Sequence, residues 1–172
     1  AGFDSVIFDG AGLTSVENIL ITKKCVEYAR EKNPNILVEG ELGFIGVSSK
    51  IFDDLPFGVS VENDSLVKPE DAKNFIKETG VDLLAPAVGN IHGMFRSGKS
   101  PALDIKRIEE IRKICGVPLV LHGGSGISTN DFKNAIKAGI SVIHINTEIR
   151  LAYRKALEFS LQEDPDEIAP YK

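Results

Sequence analysis

The sequence has few cysteines, few histidines and no long hydrophobic run. Across 172 residues it contains two cysteines and three histidines. Cys25 and Cys115 each fall inside a helical pattern, which favours a reduced, cytoplasmic protein with buried thiols over a disulfide or a redox pair. No window approaches the 18 consecutive apolar residues of a membrane span, and no basic, leader-like segment opens the chain, so we expect neither feature.

Positive charge is also in short supply. Lysine and arginine number 20 against 25 aspartate and glutamate residues, which gives a formal net charge of −5. Without a basic stripe the chain is a poor binder of nucleic acid or anionic membrane, although it can still bind one small phosphorylated ligand. The 42% hydrophobic content is enough for one core, and we expect a single domain over residues 1–172.

Five apolar runs of strand length alternate with helical patterns. Helix starts are marked by a capping box at Thr14 to Glu17, by Pro69, by Asp104 and by Ser128, and a last helix is predicted from about Thr147. The stretch 44–67 has no clear periodicity. The pattern predicts an α/β protein with parallel strands covered by helices; the predicted strands are 5–8, 35–42, 81–88, 117–121 and 142–145.

Two architectures fit this pattern, an open doubly wound sheet and a (β/α)8 barrel. The chain length favours the open sheet, because a whole barrel usually needs about 250 residues. The loops favour the barrel: every unusual loop follows the C-terminal end of a strand, while the returns from helix to strand are short. A one-sided distribution of long loops is typical of the active face of a barrel.

Each histidine closes an apolar run. His92 and His122 come after the runs 83–88 and 118–121, and His144 ends the run 140–143, so the three are expected to converge on one rim of the sheet, where a metal or catalytic site can form. His122 is followed by Gly123-Gly124-Ser125-Gly126, which is either a phosphate cradle at a helix start or a tight turn that needs glycine. A metal ligand beside a phosphate-binding turn favours the cradle.

Carboxylates also stand at strand ends. Asp9 and Glu41 end two other strands, and carboxylates on an inner rim are costly unless they are paired or coordinate a metal. The alternative is simple solvation in the loops. Glu39 and Glu41 flank Gly40 and share a face of their strand, and we expect only one of them to point into the barrel.

Taken together, these residues resemble the class II, zinc-dependent ketose-bisphosphate aldolases. The resemblance covers nearly the whole chain, in the family's serial order and at the family's strand ends. It implies a (β/α)8 TIM barrel of which this chain supplies about five βα units, strands four to eight. The matching segments are Ala1 to Gly10, Glu17 to Lys24, Val38 to Gly43, His92 to Phe95, Pro118 to Gly126 and Ile145 to Arg150.

The resemblance implies a zinc site and a sugar-phosphate site. By resemblance His92 and His122 are zinc ligands, and Glu41 and Asp9 take part in alternative or second metal positions. A monovalent cation is a further candidate cofactor. The implied reaction is reversible aldol cleavage, in which zinc stabilises the enediolate that forms as the carbon–carbon bond breaks. Dihydroxyacetone phosphate is expected at Gly93, Gly123, Gly124, Ser125, His144, Ile145, Asn146 and Thr147.

The chain also departs from the family pattern. It has no His-x-Asp-His segment, which in the family carries another zinc ligand and the proton-transfer aspartate. We therefore expect no complete site and no catalytic residue in this chain alone. It has Ala11-Gly12 where the family commonly has Ser-His, and His144 where many members have asparagine.

Three hypotheses stay open. The first is the C-terminal portion of a cytoplasmic aldolase, a homo-dimer or homo-tetramer cleaving fructose 1,6-bisphosphate or tagatose 1,6-bisphosphate in carbohydrate metabolism. The second is a half-barrel that binds a sugar phosphate or a metal without catalysis. The third is a structural α/β module that completes a barrel by dimerising, since a five-strand piece leaves two exposed strand edges.

Overall fold

The computed structural model describes residues 2–164, 166 and 168 of the chain. Strands and helices alternate, with two additional two-residue strands. The elements are β1 (Ser5–Phe8), α1 (Ser15–Lys32), β2 (Leu37–Leu42), β3 (Ile51–Phe52), a 3₁₀ turn (Asn63–Ser65), α2 (Pro69–Thr79), β4 (Leu83–Pro86), β5 (Met94–Phe95), α3 (Ile105–Cys115), β6 (Leu119–Leu121), α4 (Thr129–Ala138), β7 (Ile140–Ile143) and α5 (Thr147–Glu163).

The five longer strands form one parallel sheet. Their order is β1-β2-β4-β6-β7, which follows the chain without a reversal. A doubly wound sheet reverses its strand order partway along, and this sheet does not. Helix α1 packs against α2, α2 against α3 and α3 against α4, so these helices cover the same face. The parallel α/β class predicted from the sequence is confirmed.

Local signals place the helix starts and ends where the sequence predicted them. Thr14 and Glu17 form a reciprocal capping box at the start of α1, which satisfies two backbone N–H groups that the first turn leaves free. Pro69 is the first residue of α2, and Gly80 ends it in the left-handed region at φ 71°. Asp104 and Ser128 cap α3 and α4 by accepting hydrogen bonds from backbone N–H groups.

The hydrophobic core lies between the sheet and α1 to α4. Phe75 of α2 and Ile108 of α3 are almost completely buried against it. Gly40 of β2 faces this layer, and a Cβ added there would lie 2.7 Å from Cε1 of Phe75. The aromatic ring therefore packs directly on the strand backbone.

The opposite face of the sheet is open. Parallel partners in register share a face, and Ile7 pairs with Glu39 and Ser5 with Leu37. On this face Ile7 is 47% exposed and Leu37 48% exposed. Val142 of the last strand is also exposed. No helix among the described residues packs over these side chains, whereas a closed barrel would bury them.

The structure differs from the sequence predictions at a few places. The stretch 44–67 holds β3, which pairs with β5 to form a small second sheet; two-residue strands are too short to show a period. The strands predicted at 35–42, 81–88 and 117–121 begin later. Cys25 and Cys115 are both free thiols. Over the described ranges, no helix is long and apolar enough to cross a membrane.

Candidate metal centre

The three histidines meet at the C-terminal edge of the sheet. His122 follows β6 and His144 follows β7, while His92 lies in the loop after β4. Their rings form a row: the centroids of His92 and His122 are 6.0 Å apart and those of His122 and His144 are 4.6 Å apart. The convergence predicted from the strand-end positions is therefore present.

Backbone hydrogen bonds hold the histidines in place. The N–H of His144 donates to the carbonyl of Leu121 (2.9 Å), which joins the ends of β6 and β7. The His92 ring is fixed through Nδ1, which lies 2.8 Å from the carbonyl oxygen of Gly46. The buried amide of Asn90 donates to the carbonyl of His122 (3.0 Å). Each imidazole is thus attached to a rigid strand end or its neighbour.

Two buried carboxylates approach the two nitrogens of one imidazole. Oε1 of Glu39 lies 2.7 Å from Nε2 of His122, and Oε2 of Glu41 lies 3.2 Å from Nδ1. The expectation that only one of the two glutamates points into the site is wrong. They lie two residues apart on a strand, so both project from the same face, and His122 lies between them.

A buried amide supports the strand end that carries Glu41. Asn18 of α1 is 2% exposed. Its Nδ2 donates to the backbone carbonyl of Glu41 (2.9 Å), and its Oδ1 accepts from the hydroxyl of Thr22 (2.9 Å). Neither Asn18 nor Asn90 was predicted from the sequence. The signal for Asn18 was two polar residues, Asn18 and Thr22, one helical turn apart on the core-facing side of α1.

The carboxylates control the protonation of His122. Burial acts to lower the pKa of this imidazole, but the hydrogen bonds that its ring donates to Glu39 and Glu41, together with the charges of both, outweigh burial and raise the pKa to about 9. The pKa of His144 is lowered, first by burial and then by the nearby His122. At neutral pH and without an ion, His122 is therefore a cation that donates to both glutamates.

The donor set suits a divalent cation. Single donor atoms of Glu41, His92 and His122 lie within 4.8 Å of one another, and so do those of Glu39, His122 and His144. Neither glutamate forms an ion pair with lysine or arginine in the part of the chain that the structure describes. Two buried carboxylates beside one imidazolium leave a net negative charge, which a bound metal ion would neutralise. Imidazole and carboxylate are ligands that zinc accepts.

A cavity of about 410 Å³ opens beside the histidine row. The predicted metal residues His92, His122, Glu41 and Asp9 all line it. Asp9 lies at its exposed rim, and its Oδ1 accepts a hydrogen bond from the N–H of Ala11 (3.1 Å). Asp9 is not part of either group of converging donors among the described residues.

Six of the eight residues predicted to bind substrate also line this cavity. Gly124 and Ile145 do not; the N–H of Gly124 instead donates to the carbonyl of His144 (3.0 Å). Gly123 has φ 62°, and an added Cβ would lie 2.3 Å from the carbonyl oxygen of Ile91, so only glycine fits there. The cavity-lining six are Gly93, Gly123, Ser125, His144, Asn146 and Thr147.

The cavity wall also includes a helix N-terminus. Helix α5 begins at Thr147 on the cavity wall, where the first N–H groups and the helix dipole favour negative charge. The hydroxyl oxygen of the buried Ser125 accepts from the N–H of Glu148 (3.2 Å), which leaves its proton free to donate into the cavity. The wall of one cavity therefore holds both the candidate metal ligands and a helix N-terminus.

The comparisons with known proteins agree on one family. A family model described as fructose-bisphosphate aldolase class-II matches residues 1–172. The fructose-bisphosphate aldolases of Geobacillus stearothermophilus and Staphylococcus aureus (strain N315) are each 40% identical over 172 residues, which is 100% of this chain and 56% of theirs. The chain thus spans about half the length of these curated relatives.

Solved structures show the same likeness. The YdjI aldolase from Escherichia coli K12 matches with a TM-score of 0.68 and 32% identity, over 96% of this chain and 51% of that chain. A putative fructose-1,6-biphosphate aldolase from Coccidioides immitis matches with a TM-score of 0.75 and 31% identity, over 91% of this chain and 53% of that chain.

Proposed function

Since the chain belongs to the class II fructose-bisphosphate aldolase family, we propose that it forms the C-terminal part of an enzyme that cleaves fructose 1,6-bisphosphate. The products are dihydroxyacetone phosphate and glyceraldehyde 3-phosphate. The observation that carries this proposal is the convergence of His92, His122 and Glu41 in a cavity whose wall also includes a helix N-terminus. Such a cavity would offer a cation to the carbonyl oxygen of a phosphorylated ketose and backbone N–H groups to its phosphate.

The fold supports the assignment of the chain to strands four to eight of a (β/α)8 barrel. The strand order follows the chain, α1 to α4 cover one face, and the opposite face is open. In a closed barrel that open face would be the interior. On this proposal residues 1–172 belong to a single barrel domain, and further βα units pair with β1 and β7.

Glu41, His92 and His122 are the residues that would hold zinc. When bound, the ion supplies Lewis-acid polarisation of the substrate carbonyl. By the family resemblance, Asp9 would take part in an alternative metal position. The ring of His92 is oriented by the carbonyl of Gly46, and Asn18 and Asn90 fix the strand ends that carry Glu41 and His122. These supports hold the ligands in place before an ion binds.

The chain's own residues hold the three-carbon phosphate. Ser125 and the start of α5 at Thr147 would donate to the phosphate oxygens. The glycines at 93 and 123 let neighbouring loops pack closely at the cavity wall, because a Cβ at either position would meet a backbone carbonyl oxygen. Asn146 lies beside them, where its side-chain amide donates to the hydroxyl of Ser49 (3.1 Å). Binding at these points keeps the fragment in register for protonation.

Proton transfer is the step that this chain does not supply. The sequence has no His-x-Asp-His segment, and the buried glutamates are engaged by His122. The 172-residue chain alone is therefore expected to lack aldolase activity. The remaining features proposed for the whole protein are a monovalent cation, a homodimer or homotetramer, and a cytoplasmic location; these are supported by the family resemblance.

The experiment is to fuse the N-terminal part of the Geobacillus stearothermophilus relative to this chain and assay aldol cleavage. Fructose 1,6-bisphosphate should be cleaved, with activity lost in a chelator and restored by Zn²⁺. His92→Asn should abolish cleavage, while Lys133→Asn on the exposed face of α4 should not. A folded, zinc-loaded fusion that cleaves neither fructose nor tagatose bisphosphate would contradict the proposal.

Tagatose 1,6-bisphosphate is the second candidate substrate. The two ketoses differ at one hydroxyl, and the choice between them rests on small contacts in the pocket. Running the same assay with both substrates identifies the preferred one from the ratio of their kcat/KM values.

A further inference from the structure

His122 presents its two ring nitrogens to two different sets of ligands. Glu41 approaches Nδ1 and Glu39 approaches Nε2. The rings of His92 and His144 each stack with the ring of His122. The donor atoms fall accordingly into two groups of three that share His122.

We propose that Glu39, His122 and His144 form a second position for a divalent cation. Their donor atoms all lie within 4.8 Å of one another, so small side-chain adjustments bring them to the spacing of zinc ligands. Glu39 and His122 are buried, whereas His144 is exposed. That exposure leaves a side open for water or an incoming oxygen, as in three-ligand zinc sites.

The geometry links this position to the one formed by Glu41 and His92. A neutral imidazole that binds a metal through one nitrogen carries its proton on the other. When His122 binds through Nε2, its Nδ1–H donates to Glu41; when it binds through Nδ1, its Nε2–H donates to Glu39. In both states a carboxylate orients the metal-bound histidine, so one ion per chain alternates between two positions.

This inference rests on the proposed function for the presence of a divalent ion at His122, and adds a position to it. His144 thereby gains a role as a metal ligand in addition to lining the cavity. The backbone supports that role, because both the N–H and the carbonyl of His144 are bonded to the β6 end and its turn. The imidazole is therefore held next to His122 rather than free on the surface.

The test is Zn²⁺ binding to the 172-residue chain and its variants, measured by calorimetry against a competing chelator. The chain should bind one ion. His92→Asn should still bind one ion through the second position, and adding His144→Asn should weaken that binding about tenfold or more. Equal affinities for the single and double variants would overturn the second position.

Substitutions of Glu39 and Glu41 form a matched pair of variants. Glu39→Gln should weaken zinc binding more in the His92→Asn background, where Glu39 is a ligand, than in the His144→Asn background, where it only accepts a hydrogen bond. Glu41→Gln should show the reverse preference. Equal losses in both backgrounds would contradict the assignment. Circular dichroism of each apo variant identifies any that fails to fold, and the remaining variants still decide the question.

The nitrogen that binds the metal can be observed directly. In chains whose histidines are labelled with ¹⁵N, added Zn²⁺ should shift the NMR resonance of His122 Nε2 in the His92→Asn variant and that of His122 Nδ1 in the His144→Asn variant. A shift of the Nδ1 resonance in both variants would refute the second position. The outcomes also separate the two proposals. Binding by His144→Asn but not by His92→Asn leaves the proposed function standing alone, whereas the opposite result retains only the second position. No binding by the folded, unaltered chain refutes the second position, whereas the cleavage assay of the fusion decides the proposed function.

Discussion

Glu39→Gln is expected to flatten the pH dependence of stability in the metal-free chain. The wild-type protein holds the pKa of His122 at about 9, against an ordinary value of 6.5. A pKa that is higher in the folded state stabilises the fold fully below 6.5, and this contribution is lost as the pH rises through 9. Glutamine cannot supply the negative charge that Nε2 faces, so the variant should lose less stability over that range.

The magnitude follows from the pKa values. The difference between 6.5 and about 9 corresponds, at ~1.4 kcal/mol for each pH unit, to about 3 kcal/mol of unfolding free energy. Roughly 2 kcal/mol of this falls between pH 7 and 9.5. Since Glu39 is one of two carboxylates on the ring, its removal should eliminate about half, or ~1 kcal/mol, of the change over this range.

The assay is urea denaturation at pH 7, 8.5 and 9.5 with a chelator present. The series starts at pH 7 because of His144, whose pKa is lowered by burial. Below pH 7 this histidine would make the fold less stable as the pH falls, which is opposite to the effect of His122. Burial raises the pKa of Cys115 to about 11. Wild type and variant therefore both lose some unfolding free energy at high pH, and this loss cancels when the two are compared. Parallel stability curves for the two proteins would refute the reasoning.

A control variant tests the specificity of this result. Glu110→Gln removes a partly exposed carboxylate whose Oε1 lies 3.7 Å from Nζ of Lys106 one helical turn away. Such surface pairs contribute little. The control should therefore reproduce the wild-type pH dependence, and a flattened curve in Glu110→Gln would show that general charge, rather than the His122 environment, sets the slope.

Three further predictions concern the fold and the activity. Asn18→Ala should lower the unfolding free energy by about 1–3 kcal/mol, because it removes a buried hydrogen bond to the Glu41 carbonyl; the exposed Asn35→Ala should cost far less in the same denaturation assay. Gly43→Ala should destabilise more than Gly98→Ala, since both have positive φ but only the added Cβ at Gly43 meets another atom, at 2.6 Å; equal losses would contradict the packing argument. The isolated chain should give no aldol cleavage in a coupled assay at any zinc concentration, and measurable zinc-dependent turnover would overturn the proposed division of the site.

Local rules predicted most of the secondary structure. The capping box at Thr14, the proline at the start of α2 and the glycine at its end are short-range signals that depend on neighbouring backbone groups alone. Strand limits were less accurate, because pairing with neighbours decides where a strand begins. The β3 and β5 pair gave no signal, since two residues cannot display an alternation.

The site was predictable where it depended on strand ends and unpredictable where it depended on pairing across the sheet. The convergence of His92 and His122 follows from parallel strands. The inward placement of both Glu39 and Glu41 follows from strand alternation, but the cost of burying two carboxylates argued against it. The two carboxylates can be buried because His122, which follows a strand much further along the chain, lies between them. The sequence alone does not show this position.

Gly40 links the helix layer to the candidate metal centre. Because it has no side chain, the Phe75 ring packs directly on β2, and in the strand it lies between the two glutamates that approach His122 on the opposite face. An engineer who enlarged residue 40 to improve the outer packing would displace β2 and with it both carboxylates. Redesign of the interface between β2 and α2 would therefore also move the two carboxylates beside His122, so this helix layer and the candidate metal centre are structurally coupled.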